Sequence, residues 1–455
     1  MQQMRICARA RALVVSEGEP HYLRFALVFN TMLIVGGYMD VARRSFFKKA
    51  GGATLATSLL TQVSACGGGG VMSSAEASTI LPAKAMFPGV AGKVFLNSAA
   101  DHPWNQAATD ALKKYGEAKL SLASGSVSAT ARFAQLINAD ADEVTYVPST
   151  SMGEYLVTKA MGLPESGGRV VTDALHFVGS FYMYEQYKKQ GLDVVTVKMD
   201  GEYRISMSDM ATVITPGTKL VAVSHVSLYN GFTHDLKALC DLAHSRGALV
   251  YVDLIQSAGV VPIDVKAMGV DFAACGTYKW LMGDFGFAFL YVRKSLLPQL
   301  KRPWYGYRQT RNFAAPILHV YPLDPPGVVP YESEQINSVA GYFMGSFPAS
   351  AVETACAASL DWIQSVGVNA IQSYRQPMLQ ALQSGLRSKG FQVVTPPDST
   401  SPIVTFAYQD AARLSPRLAA ANVVITLRAN HARISPSVFN DMSDIQTFLN
   451  AVGTP

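Results

Sequence analysis

Between about residues 140 and 295, short apolar β-branched runs alternate with stretches of helical spacing, and few folds accept that rhythm. The strand-like runs are 144–147, 169–172, 194–197, 220–224, 249–252 and 271–275, and the segment 235–246 typifies what lies between them. Such alternation predicts an α/β fold whose mainly parallel sheet is covered by helices on both faces. The aromatic run 285–292 follows closely and predicts an antiparallel strand, the seventh of the sheet. From about residue 335, two long helical stretches precede short strands at 403–406, 423–426 and 432–434. A final helix is expected over Met442–Val452 with Ser443 as its cap, and together these predict a smaller α+β lobe. The expected divisions are a leader (1–66), a tether (67–90), a large domain (91–335) and a small C-terminal domain (336–455).

In a parallel sheet, ligands gather at the carboxyl ends of the strands. Thr150 and Ser151 follow the first run, His176 the second, His225-Val226-Ser227 the fourth, and Asp253 ends the fifth. The sixth delivers Gly276-Thr277-Tyr278-Lys279-Trp280 onto a turn. A carboxylate at one strand end and a lysine just past the next suit pyridoxal phosphate (PLP). The amine forms a Schiff base with its aldehyde, and the acid keeps the pyridine nitrogen protonated so that the ring accepts electrons. The hydroxyls and free amides of Ser149-Thr150-Ser151-Met152-Gly153, between a strand and a helix, suit a phosphate.

Together these residues resemble the class V aminotransferase family of fold-type I PLP-dependent transferases. That family includes cysteine desulfurases, kynureninases and isopenicillin-N-epimerase-like proteins, and the likeness spans roughly residues 90–450. It implies a Schiff-base role for Lys279, a pyridine-nitrogen contact for Asp253 and a hydrogen bond from Gln256 to the ring oxygen. His176 matches the residue that stacks on the ring in cysteine desulfurases and is expected to act in catalysis. His225 and Ser227 match a segment that lies near the ring, and Thr277 and Tyr278 resemble the kynureninase-like lysine turn, whose tyrosine reaches the phosphate. Ser346, in Gly345-Ser346, stands where the family has a Gly-Thr that touches the phosphate of a neighbouring subunit, which implies a homodimer with shared sites. Arg433-Ile434-Ser435-Pro436-Ser437-Val438-Phe439-Asn440 resembles the C-terminal signature whose arginine grips the substrate carboxylate. Asn97, in Leu96-Asn97-Ser98-Ala99, resembles an element bordering the substrate pocket.

The resemblance leaves the reaction open among transamination, epimerisation or racemisation, and lyase or kynureninase-type cleavage of an amino acid or peptide-terminal amino acid. Cysteine desulfuration is disfavoured, because residues 308–345 hold no cysteine to serve as the mobile nucleophile. The Thr-Tyr-Lys-Trp turn and C-terminal signature look most like the isopenicillin-N-epimerase-like branch, although Asp284-Phe285-Gly286 replaces a usual Gly-Pro. A contrasting expectation, a non-catalytic lipoprotein scaffold, is disfavoured by the intact Lys279, Asp253, Gln256 and Arg433.

The formal charge of +5 arises wholly in residues 1–66, which carry eight Lys/Arg and three acids. The remainder is neutral and has no basic footprint for nucleic acid. Of the five cysteines, none forms a Cys-x-x-Cys pair or zinc spacing, and no metal site is expected. Cys240, Cys275 and Cys356 read as small buried hydrophobes. Arg43-Arg44-Ser45-Phe46-Phe47-Lys48 looks like a twin-arginine export motif, followed by a short apolar stretch and then Val63-Ser64-Ala65-Cys66, which resembles a lipoprotein cleavage box. The expectation is a periplasmic protein carried by the twin-arginine machinery and held to a membrane through lipidated Cys66. Met39 is an apt start for that leader, so residues 1–38 read as an over-extended frame. Periplasmic PLP enzymes that tailor pyoverdine-type siderophores share such a leader, which suggests a substrate of that class.

Overall fold

A computed structural model describes residues 81–119, 128–311 and 334–455, all of which belong to one compact unit. The twin-arginine motif, Cys66, residues 1–38 and the tether up to residue 80 lie outside the described residues.

Seven strands form the central sheet: β1 (Val144–Val147), β2 (Arg169–Asp173), β3 (Asp193–Val197), β4 (Thr218–Ser224), β5 (Leu249–Asp253), β6 (Phe272–Gly276) and β7 (Ala288–Val292). Their spatial order is β1-β7-β6-β5-β4-β2-β3. All neighbours from β6 to β3 pair in parallel, whereas β7 is antiparallel to both β6 and β1. The expected antiparallel run is therefore present, inserted within the sheet between β6 and β1. Side chains of a strand alternate between faces. Val250, Val252, Ala273 and Cys275 enter one buried cluster, while Tyr251, Phe272 and Ala274 enter another on the opposite side. Every residue of β6 and β7 is buried, as expected of strands covered on both faces.

The helix Thr150–Ala160 begins where Ser149 accepts the Met152 N–H at 3.1 Å. It lies close on the sheet because Gly153 has no side chain: a Cβ there would meet the Ala274 Cβ at 2.8 Å. The expected helix over 235–246 is observed as Leu236–Ser245, with Asp235 as its cap.

In the C-terminal part of the chain, helices Ser350–Val366 and Val368–Ser388 precede a three-stranded antiparallel sheet with His431–Ile434 at its centre, between Val404–Ala407 and Thr426–Leu427. Two expectations need correction. The run 423–426 is not one strand, because the chain changes partners at Ile425. Val423–Val424 pair in parallel with Val94–Phe95, and Thr426–Leu427 pair with Ala432 and Arg433. The final helix, Met442–Val452, is capped by Asp441 and not by Ser443. Asp441 Oδ1 accepts the Ser443 N–H at 2.9 Å and the Asp444 N–H at 3.2 Å, which puts Ser443 inside the first turn as a donor.

Candidate active site

The sheet brings the chemistry-bearing residues to one edge. Ser224 and Asp253, the last residues of β4 and β5, are register partners, and Asp253 also pairs with Ala274 of β6. Lys279 lies just past β6 in a turn closed by the Gly283 N–H on Thr277 O and the Met282 N–H on Lys279 O, both at 2.8 Å. Lys279 is buried, and its amine makes no hydrogen bond or ion pair among the described residues. Burial lowers its pKa to about 8, with Arg433 acting in the same direction and the Asp253 carboxylate opposing. Asp253 Oδ1 accepts the Ile255 N–H at 2.8 Å, and its other oxygen accepts no hydrogen bond among the described residues. Burial raises the Asp253 pKa, while the Ile255 N–H, His176 and Lys279 hold it down.

Gln256 is buried and engaged at both ends, with Nε2 donating to Ala99 O at 3.0 Å and Oε1 accepting from Trp280 Nε1 at 2.9 Å. A carboxamide carries two N–H donors, so one remains for a ligand. Thr150 Oγ1 accepts the Gly276 N–H at 2.8 Å, and Ser149 caps the helix. At that helix start, the Thr150 and Ser151 N–H groups have no hydrogen-bond partner among the described residues, and Ser151 is exposed. They form a ready anion site. Thr277 spends its hydroxyl on Asp284 O at 2.7 Å and Phe287 O at 3.0 Å, which fixes the lysine turn itself. Half-buried Tyr278 stacks on Phe285 at 4.0 Å, and Lys279 Nζ is 5.5 Å from the tyrosine ring centroid.

Arg433, on the strand His431–Ile434, reaches the same space. Its Nη1 donates to Leu228 O at 3.0 Å and its Nη2 to Thr426 Oγ1 at 3.1 Å, while its buried Nε has no hydrogen-bond partner among the described residues. Thr426 Oγ1 in turn donates to Asn97 Oδ1 at 2.6 Å, so Asn97 and Arg433 are linked through one hydroxyl. His225 is buried with Nδ1 unpartnered, and burial brings its pKa to about 3, which keeps the ring neutral. Ser227 Oγ accepts the Tyr229 N–H at 3.2 Å. Ser346 is exposed, on the loop between Val339–Phe343 and Ser350–Val366.

Sequence reasoning did not find Glu154. This buried carboxylate accepts from Ser180 Oγ at 2.5 Å, Tyr184 Oη at 2.7 Å and His176 Nε2 at 3.2 Å. Its one available signal is its place four residues after Thr150, one turn into the helix that starts at the site. A second buried pair, Asp173 with His234 at 3.1 Å, was also missed. Cys240, Cys275 and Cys356 are buried free thiols, as expected.

The residues fit PLP. An unpartnered buried amine, a carboxylate with a spare oxygen, a helix N-terminus with free amides and a buried guanidinium with an orphaned N–H converge on one sheet edge. Fold and donor set together define a PLP-dependent enzyme of fold type I. The profile of the family described as aminotransferase class-V matches residues 96–325, and the chain belongs to that family. It is 29% identical over 325 residues to the uncharacterized aminotransferase YcbU of Bacillus subtilis (strain 168), covering 70% of this chain and 81% of the relative. It is 30% identical over 230 residues to a kynureninase of Pseudomonas fluorescens, but spans only 50% of that relative and 49% of itself. A solved structure of a C-DES variant, with glycine covalently linked to its PLP cofactor, superposes with a TM-score of 0.68 at 18% identity, covering 81% of this chain and 98% of that one.

Proposed function

We propose that this chain acts at the α-carbon of an amino acid, free or at the end of a peptide, as an enzyme of aminotransferase or epimerase type. The observation that carries this reading is the Lys279 amine, buried, unpartnered and brought to a pKa of about 8. PLP, when bound, supplies an aldehyde for the substrate amine and a ring that accepts electrons from the α-carbon. Lys279 would hold the cofactor and, once released by substrate, move the α-proton as a neutral amine. Asp253 would keep the pyridine nitrogen protonated, since a close anion favours the cation. Arg433 would orient the substrate carboxylate, with Asn97 and Thr426 fixing its position.

A second reading, a lyase, is favoured by the kynureninase relative. Desulfuration through a persulfide has less support. Residues 308–345 lack cysteine, and burial pushes the thiols of Cys275 and Cys356 far above the ordinary range.

The proposal extends to place and partners. The enzyme would be exported by the twin-arginine route, anchored through Cys66, and homodimeric, with Ser346 facing a neighbouring subunit's phosphate. A substrate class of siderophore or similar secondary metabolites would suit that location.

Purified protein is expected to show visible absorbance that Lys279→Ala abolishes. Colourless wild-type protein that PLP cannot reconstitute would favour a scaffold instead. In deuterated buffer, keto acid with pyridoxamine phosphate marks transamination, label with inverted configuration marks epimerisation, and released side-chain fragments mark a lyase.

A further inference from the structure

The geometry points to Glu154 as a positioning residue that locks His176 as a doubly donating imidazolium, a fixed platform beside the cofactor site and not a proton carrier. This deepens the proposed function, because it rests on the assignment of Lys279 and Asp253 to the cofactor.

His176 is fully buried, and both of its ring nitrogens are taken by the protein. Nδ1 lies 2.9 Å from Ser224 Oγ and Nε2 3.2 Å from Glu154 Oε1. Phe181 closes on the imidazole edge-on, with centroids 6.4 Å apart. A histidine that exchanges protons with substrate needs one nitrogen free to face it. This one has none.

Glu154 supplies the reason for the charge. It is buried on the same helix whose N-terminus forms the anion site, and no lysine or arginine pairs with it among the described residues. Ser180 and Tyr184, both on helix Val178–Lys189, donate to it, yet neutral donors leave its charge uncompensated. A buried carboxylate demands a cation or protonation, and among the described residues His176 is the sole titratable cation in contact with it. The groups facing His176 from its surroundings agree. Asp173 of β2 and Asp253 of β5 both favour its protonated form, as Glu154 does more strongly, and together they outweigh burial. Burial likewise works against ionised Glu154, but His176, Ser180 and Tyr184 keep its pKa below the ordinary value. The two partners thus shift in opposite directions, as an ion pair requires.

Proton traffic at the α-carbon then falls to Lys279. His176 contributes its position, its flat surface and a positive charge that is itself compensated by Glu154.

The test is an imidazole titration by NMR on protein carrying ¹⁵N-labelled histidine, in cofactor-free and PLP-loaded forms, with His176→Phe used only to assign the signal. Wild-type His176 is expected to carry both protons through neutral pH. Glu154→Gln, which keeps the shape and removes the charge, should lower its midpoint by about 1–3 pH units. Tyr184→Phe removes a donor but leaves the carboxylate, so His176 should stay doubly protonated. This variant also keeps the idea testable if Glu154→Gln does not fold. A wild-type His176 that is neutral at pH 7, or a Tyr184→Phe protein that loses the second proton as Glu154→Gln does, overturns the inference. As a kinetic readout, the wild-type pH profile should lack a limb from His176, whereas Glu154→Gln should gain a limb that falls as pH rises through the lowered His176 midpoint. A His176 limb in the wild type would also overturn it. The cofactor-free titration is independent of PLP. Colourless protein with a protonated His176 would sink the proposed function alone, and coloured protein with a neutral His176 would sink this inference alone.

Discussion

Lys279 is weakly basic because its ammonium form would sit in the interior with no hydrogen-bond acceptor among the described residues, and Arg433 adds a second positive charge nearby. Asp253 recovers only part of that cost. Capture of an aldehyde needs the neutral amine, and for a group of lowered pKa the neutral fraction grows as pH rises through the folded value. The rate at which apoenzyme takes up PLP, followed by visible absorbance, should therefore climb with a midpoint near pH 8 and then level. A rise that continues to the ordinary lysine range, about pH 10, would remove the argument for burial. Arg433 makes a different point, that shape matters as well as charge. Lysine in its place would keep one positive charge but lose the two-pronged contact to Leu228 O and Thr426 Oγ1. Arg433→Lys is expected to lower kcat/KM by about 10- to 100-fold, chiefly through KM, because one buried charged hydrogen bond is worth roughly 1.5–3 kcal/mol. Steady-state kinetics with any turned-over amino acid would check it.

At the scale of elements, the helix Thr150–Ala160 bears on both stability and the anion site. Gly153→Ala would drive a methyl to 2.8 Å from the Ala274 Cβ, so the helix must lift from β6. Overpacking of this kind costs about 1–3 kcal/mol. The same displacement moves the free amides of Thr150 and Ser151, so the melting temperature should fall and PLP should bind more weakly in a dialysis titration. An unchanged affinity beside a lowered melting temperature would detach the helix from the phosphate. The sheet is legible in the sequence because its strands are covered on both faces and read as apolar runs with little competing signal. β1, β2, β4, β5 and β6 lie where the runs place them, with shifts of one or two residues at their ends. The break at Ile425 is not legible, because both halves of that run are short and β-branched and only tertiary pairing separates them. The Asp441 cap is missed through adjacency, since Asp441 and Ser443 both carry cap-forming side chains within two residues. In the site, Lys279, Asp253 and Arg433 are legible from strand ends and a local signature. Glu154 is not, because its partners Ser180, Tyr184 and His176 lie on other segments and no spacing announces them.

For the whole molecule, the formal charge of +5 lies in residues 1–66 and the remainder is neutral, so the proposed export and the proposed catalysis are separable by sequence. Replacing Arg43-Arg44 with Lys-Lys should leave the protein in the cytoplasm with its absorbance intact, as fractionation and a visible spectrum would record. Undiminished periplasmic recovery would refute the twin-arginine assignment without touching the active-site argument. The antiparallel β7 also has a consequence for how such a chain is made. Among the described residues, β1 sits at the sheet margin and bonds to β7 alone, with Val144 opposite Tyr291. During synthesis β1 must therefore wait, unpaired, while every other strand emerges before its only neighbour does. The lysine turn is translated just ahead of that neighbour, so the ribosome has already delivered residue 279 when the hem of the sheet is finally stitched.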